Sequence, residues 1–138
     1  MTADDIIDRL KLAPHPEGGW FRQTWIGDEN PRASGTCIYF LLKEGERSHW
    51  HRVDATEIWH FYAGSPLILR LAETSEGPAV PLILGPDLAR GETPQIIVPK
   101  DYWQAAEATT GWTLVGCTVS PGFRFEGFEL APQGFDIP

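Results

Sequence analysis

The chain has 138 residues, 42% hydrophobic and 22% charged, with a formal net charge of −8. That composition suits one folded domain around one core and argues against disorder. The acidic balance, with no cluster of lysines and arginines, argues against a nucleic-acid partner, and no apolar run approaches the length of a membrane span. In chain order, the first element is a helix expected within residues 1–13. Thr2 caps it, Asp4 and Asp5 suit its positive end, Ile6, Ile7 and Leu10 share a face, and Pro14 stops it. This acidic start lacks the basic and apolar regions of a signal segment, so a cytoplasmic protein is expected. From residue 14 the punctuation is dense, with 14 Gly and 12 Pro in the whole chain. Between these residues lie short β-rich runs: "GWFRQTWI", "GTCIYFLL", "ATEIWHFYA", "PLILRLA", "AVPLILG", "PQIIVP", "YWQAAEA", "WTLVGCTV" and "FRFEGFELA". That pattern predicts an all-β antiparallel sandwich or barrel over 14–138, one domain without repeats or linkers. Cys37 and Cys117 lack metal-type spacing and sit in apolar runs, so both are expected as buried reduced thiols.

"SHWHRVDATEIWHFYAG", from Ser48 to Gly64, gathers three of the four histidines. On a strand His49 and His51 point the same way, about 7 Å apart, and Trp50 points the other. In the next run Glu57, Trp59 and Phe61 share one face. If the two runs form a hairpin, Glu57 lies across from the histidine pair. Two histidines and a carboxylate make a three-ligand metal site, suited to Fe(II), Mn(II), Ni(II) or Zn(II). Trp59 and Phe61 then supply an apolar cavity wall, as small-molecule pockets show. His60 and Tyr62 face away.

With the preceding "GER", the same stretch resembles the first cupin motif: a glycine, His-x-His, a glutamate and, after six more residues, Gly64. The stretch "GETPQIIVPKDYWQAAE" resembles the second, with Pro99 at the turn. Asp101 replaces the turn glycine, and Gln104 stands where a histidine is usual. The gap from His51 to Glu57 is one residue longer than usual. With "LAPHPEGGWFRQTW" and "LVGCTVSPGFRFEGFELA", the resemblance covers nearly the whole chain. It is to a family of small cupins of bacteria and yeast, akin to nucleotide-sugar epimerases. It implies a double-stranded β-helix jelly roll and a homodimer, and it supplies no reaction. It adds Gln104 to His49, His51 and Glu57 as a fourth metal ligand, one weaker than imidazole. A metal held this way is expected to be weak or absent.

Three further residues are candidates for the mouth of the barrel. His15, Glu17 and Arg22 lie in "PHPEGGWFRQ", where Gly18 and Gly19 allow a tight turn and close backbone approach. This segment either closes the site or packs across the sheet. Arg22 suits an anionic ligand. Tyr102 is a candidate general acid. Phe123, Phe125 and Phe128 read as core or interface. Three functions compete. In a metal-dependent enzyme, the ion polarises a small polar metabolite. In a metal-free sugar epimerase or isomerase, His49 and His51 act as bases and Tyr102 as acid. In a binding module, nothing turns over.

Overall fold

A computed structural model describes residues 1–138. Helix α1 spans Ala3–Leu10. Thr2 caps it through a reciprocal pair of bonds with Asp5, and Lys11 ends it in the left-handed conformation. Its buried Ile6 packs with Leu12 and Leu41. Eleven strands follow: β1 (Ala13–Pro14), β2 (Trp20–Ile26), β3 (Thr36–Leu42), β4 (Arg47–Val53), β5 (Thr56–Gly64), β6 (Leu67–Ala72), β7 (Val80–Leu84), β8 (Gln95–Val98), β9 (Trp103–Glu107), β10 (Thr113–Ser120) and β11 (Phe128–Leu130).

They form two antiparallel sheets. One has the order β1-β2-β3-β10-β5-β8 and the other β11-β4-β9-β6-β7. Inward residues of both sheets alternate with outward ones and bury each other, as in a jelly roll. The main core fills one part of the interior with Phe40, Leu42, Trp59, Leu69, Leu84 and Val115. A second cluster, Trp50, Trp103, Ala131 and Ile137, lies outside the five-stranded sheet under the C-terminal tail. The all-β barrel with one N-terminal helix is as the sequence predicts.

Four local expectations are corrected. β4 and β5 are not a hairpin: β4 pairs with β9 and β11, whereas β5 pairs with β10 and β8. They face each other across the interior. β4 is also not regular. Ser48 pairs with Ala106 but His51 with Gln104, so three steps on β4 match two on β9. This is a β-bulge, and it breaks the alternation on which the placement of His49 rested. "FRFEGFELA" is only partly strand, since Phe125–Gly127 forms a 3-10 turn before β11. Cys37 is only half-buried, and it is free, as is the buried Cys117.

Candidate active site

A cavity of about 70 Å³ opens between the sheets. Its polar lining comes from His15 and Glu17 of the N-terminal arm, Gln23 of β2, Thr36 of β3, His51 of β4, Glu57 of β5 and Cys117 of β10. Val53, Val119, Phe123 and Phe125 are among its apolar walls. Its depth is marked by exposure. His51 is 2% exposed and Glu57 7%, whereas Phe125 at the rim is 56% exposed.

The arm reaches the cavity because its backbone is tied to β4. His49 N–H donates to Glu17 O at 2.8 Å, and His15 N–H to Gly19 O at 2.9 Å. Gly18 permits this approach. Its φ is +106°, and a Cβ there would run into the Arg47 carbonyl. Glu17 therefore lands beside β4, where its Oε2 accepts from the Ser48 hydroxyl and its Oε1 lies 3.6 Å from His51 Nε2. His15 packs edge-on against Phe21, 4.5 Å between ring centres, and its Nδ1 accepts the Glu17 N–H.

The bulge does chemical work through its backbone. His51 Nδ1 lies 2.7 Å from His49 O. A carbonyl only accepts, so Nδ1 carries the proton and Nε2 presents its lone pair toward Glu17. Across the cavity, Glu57 Oε1 accepts from Gln104 Nε2 at 2.8 Å, and Gln104 Oε1 accepts from Trp59 Nε1 at 2.8 Å. This buried relay fixes the amide orientation and aims the Glu57 carboxyl.

Burial governs the protonation states. Glu17 is pushed up to about 8, mainly by burial and against the pull of the Ser48 hydrogen bond. Glu57 is pushed up to about 7, mainly by burial, with nearby His51 opposing and Glu17 adding to the rise. Burial lowers His15 to about 4 and also lowers His51. The Cys117 thiol is held well above its usual value by burial and by Glu57, so it is no ready nucleophile. Between pH 7 and 8 the cavity thus holds a protonated Glu17, an ionised Glu57 and neutral imidazoles.

Of the residues chosen from sequence, the structure brings together His15, Glu17, His51 and Glu57, with Gln104 behind Glu57. His49 is not with them. The bulge turns its ring outward, where Nε2 lies 3.0 Å from Pro132 O. Arg22 is on the outer face of the six-stranded sheet, its guanidinium 5.6 Å from the Tyr39 ring centre. Trp59 and Phe61 pack in the core rather than line the cavity, because the main core occupies that part of the barrel. Tyr102 packs partly buried against the same core and does not reach the cavity. Sequence reasoning missed Ser48, Cys117, Phe123 and Phe125 as site residues. A bulge hides the first, and ordinary strand patterning makes Cys117 look like core.

The donor set does not fit a divalent metal. No three or more His, Cys, Asp or Glu side chains are grouped to hold one. Gln104 turns its Nε2 toward Glu57 and its oxygen toward the Trp59 indole, and His49 points away. A larger groove of about 940 Å³ runs outside the five-stranded sheet beneath the C-terminal tail. Its charged groups are already paired: Arg47 and Arg70 with Glu107, and Asp136 with the Trp50 indole. The buried acid–base groups are in the smaller cavity.

Comparison with known proteins matches residues 4–131 to the family described as Cupin superfamily (DUF985). A crystal structure of a Shewanella oneidensis protein is 43% identical, with a TM-score of 0.90 over 96% of this chain and 86% of that one. A hypothetical protein from Leishmania major is 31% identical, with a TM-score of 0.88 over 98% of this chain and 90% of that one. An oxalate decarboxylase of Bacillus subtilis is 15% identical, with a TM-score of 0.66 over 86% of this chain and 29% of that one, a likeness of fold. No protein of the curated set matches.

Proposed function

Given that the chain belongs to the Cupin superfamily family DUF985, we propose that its barrel interior is the site of a small-molecule enzyme that works by metal-free proton transfer. The observation that carries this is a pair of buried carboxyl groups, Glu17 and Glu57, on one cavity that no lysine or arginine lines. Groups poised near neutrality are efficient general acids and bases. In this reading Glu57 takes a proton from a carbon next to a carbonyl. Glu17 gives its proton to the carbonyl oxygen, which yields an enol, or an enediol where that carbon bears a hydroxyl. His51 Nε2 accepts a hydrogen bond from the bound hydroxyl or from Glu17 itself. Return of a proton from Glu57 to carbon and of the hydroxyl proton to Glu17 closes the cycle, so no oxidant or reductant is needed.

This departs from the metal-dependent reading in its donor set and from the histidine-base reading in its base. A nucleotide sugar is disfavoured by size, because about 70 Å³ is well below the roughly 300–1,000 Å³ of pockets that enclose larger ligands. The test is deuterium exchange from D2O into hydroxyacetone, followed by proton NMR near pH 7.5. The protein accelerates exchange over buffer, and Glu57→Gln lowers the enzymatic rate by about 10²-fold or more. No acceleration, or equal rates in parent and variant, overturns the proposal.

The reading includes a cytoplasmic homodimer. Support comes from Trp25, Tyr62 and Ile97, exposed at 54%, 49% and 61% on strands of the six-stranded sheet. Sedimentation at micromolar concentration that gives only a 15.4 kDa species counts against it.

A further inference from the structure

We infer that the cavity takes a small uncharged molecule with a polar head and an apolar tail, and that it rejects anions. The inference rests on the reading of this cavity as the functional site. Its direction comes from the exposure gradient. The polar floor is His51, Glu57 and Cys117, with Val53 and Val119 buried beside it, whereas Phe123 and Phe125 stand toward the open side together with the exposed Gln23. A head group that exchanges hydrogen bonds therefore sits inward, and carbon sits against the phenylalanines.

The charge preference follows from where the cations are. The chain has 11 lysines and arginines, and none lines the cavity. The arginines nearest its mouth are held elsewhere. Arg32 donates to both oxygens of Asp54 and to Gly122 O. Arg124, between the two mouth phenylalanines, lies 3.7 Å from Asp54. Arg52 stacks 4.8 Å from the Trp103 ring centre and pairs with Glu129. An entering carboxylate would lose its water, find no compensating cation and face two carboxyl groups. An uncharged carbonyl or hydroxyl loses far less. It gains the His51 Nε2 lone pair as acceptor, with the Glu17 and Glu57 carboxyls as partners. The tail is short, since a volume of about 70 Å³ admits only a few carbon atoms before they emerge at Phe125.

Three molecules of nearly one shape test this: propionamide, propionate and propylammonium. Each is titrated into 15N-labelled protein at pH 7, and dissociation constants are taken from amide shifts at His51, Glu57, Cys117 and Val119. The expected result is binding of propionamide in the cavity, with propionate about tenfold weaker or more. Propionate binding as tightly in the cavity overturns the charge preference while leaving the cavity as the site. Propylammonium binding tightest also overturns it, because paired carboxyls would then be serving a cation. If none of the three moves the cavity amides, the cavity is no ligand site, and both this inference and the proposed function fall.

Discussion

Replacing Glu17 with Gln tests the protonation scheme without any substrate. The carboxamide keeps the shape and the hydrogen-bonding capacity toward Ser48 and removes the titration. In the parent, Glu17 titrates near 4.5 when unfolded and is pushed up to about 8 when folded. The folded state therefore holds a proton that the unfolded state has released, and stability falls as pH rises between those values. From pH 6.5 to 8 that is a loss of about 2 kcal/mol, at 1.36 kcal/mol per pH unit. Glu57, pushed up to about 7, adds under 1 kcal/mol over the same interval. The parent should thus lose about 3 kcal/mol between pH 6.5 and 8.5. The Glu17→Gln variant should lose about 1 kcal/mol or less, since removing Glu17 also relieves one cause of the rise at Glu57. Urea unfolding at several pH values in this range measures both slopes. Histidines do not confuse the comparison: near pH 6.5 the unfolded imidazoles are still partly protonated and oppose the loss slightly, but equally in parent and variant. Parallel lines for parent and variant would refute the claim that Glu17 is buried with its proton.

Below pH 6.5 the histidines act in the opposite sense: His15 contributes stability that is present above 6.5 and lost as pH falls toward about 4, visible as a declining urea midpoint for the parent that is reduced in His15→Phe. His51→Ala should abolish the exchange activity, whereas His49→Ala should leave it within about twofold, because only the His49 backbone serves the site; equal losses in an NMR exchange assay would contradict the bulge. Gln104→Leu leaves the Trp59 indole and the Glu57 carboxyl unpartnered, so unfolding titrations should show a loss of about 3 kcal/mol, and the acidic arm of the exchange pH profile should move to higher pH because the base Glu57 has lost a donor. Gly18→Ala forces a Cβ toward the Arg47 carbonyl at a left-handed φ; the arm is expected to leave β4, seen as faster hydrogen exchange at the His49 amide, and an unchanged rate there would disprove the role given to this glycine.

The sequence by itself determined the barrel and half of the site. Period-2 runs separated by Gly and Pro specify short antiparallel strands, and the apolar alternation specifies which face is inside, so architecture followed from local pattern. Glu57 and His51 were legible for the same reason, as polar groups at inward positions, and Glu17 and His15 because a Gly-Gly turn marks close backbone approach. What only the tertiary structure decided is the outcome of small offsets between strands. One extra residue in β4 turns the His49 ring out, brings Ser48 and His51 to the same side, and leaves the His49 carbonyl to fix the tautomer of His51. The partition of β4 and β5 into different sheets sets His51 opposite Glu57 rather than beside it. Gln104 became a relay and not a ligand because β9 meets β5 across the interior, where Trp59 donates to its oxygen and Glu57 accepts from its nitrogen. Each of these depends on register between segments distant in sequence, and register is fixed by packing across the whole interior, which no local run of residues encodes.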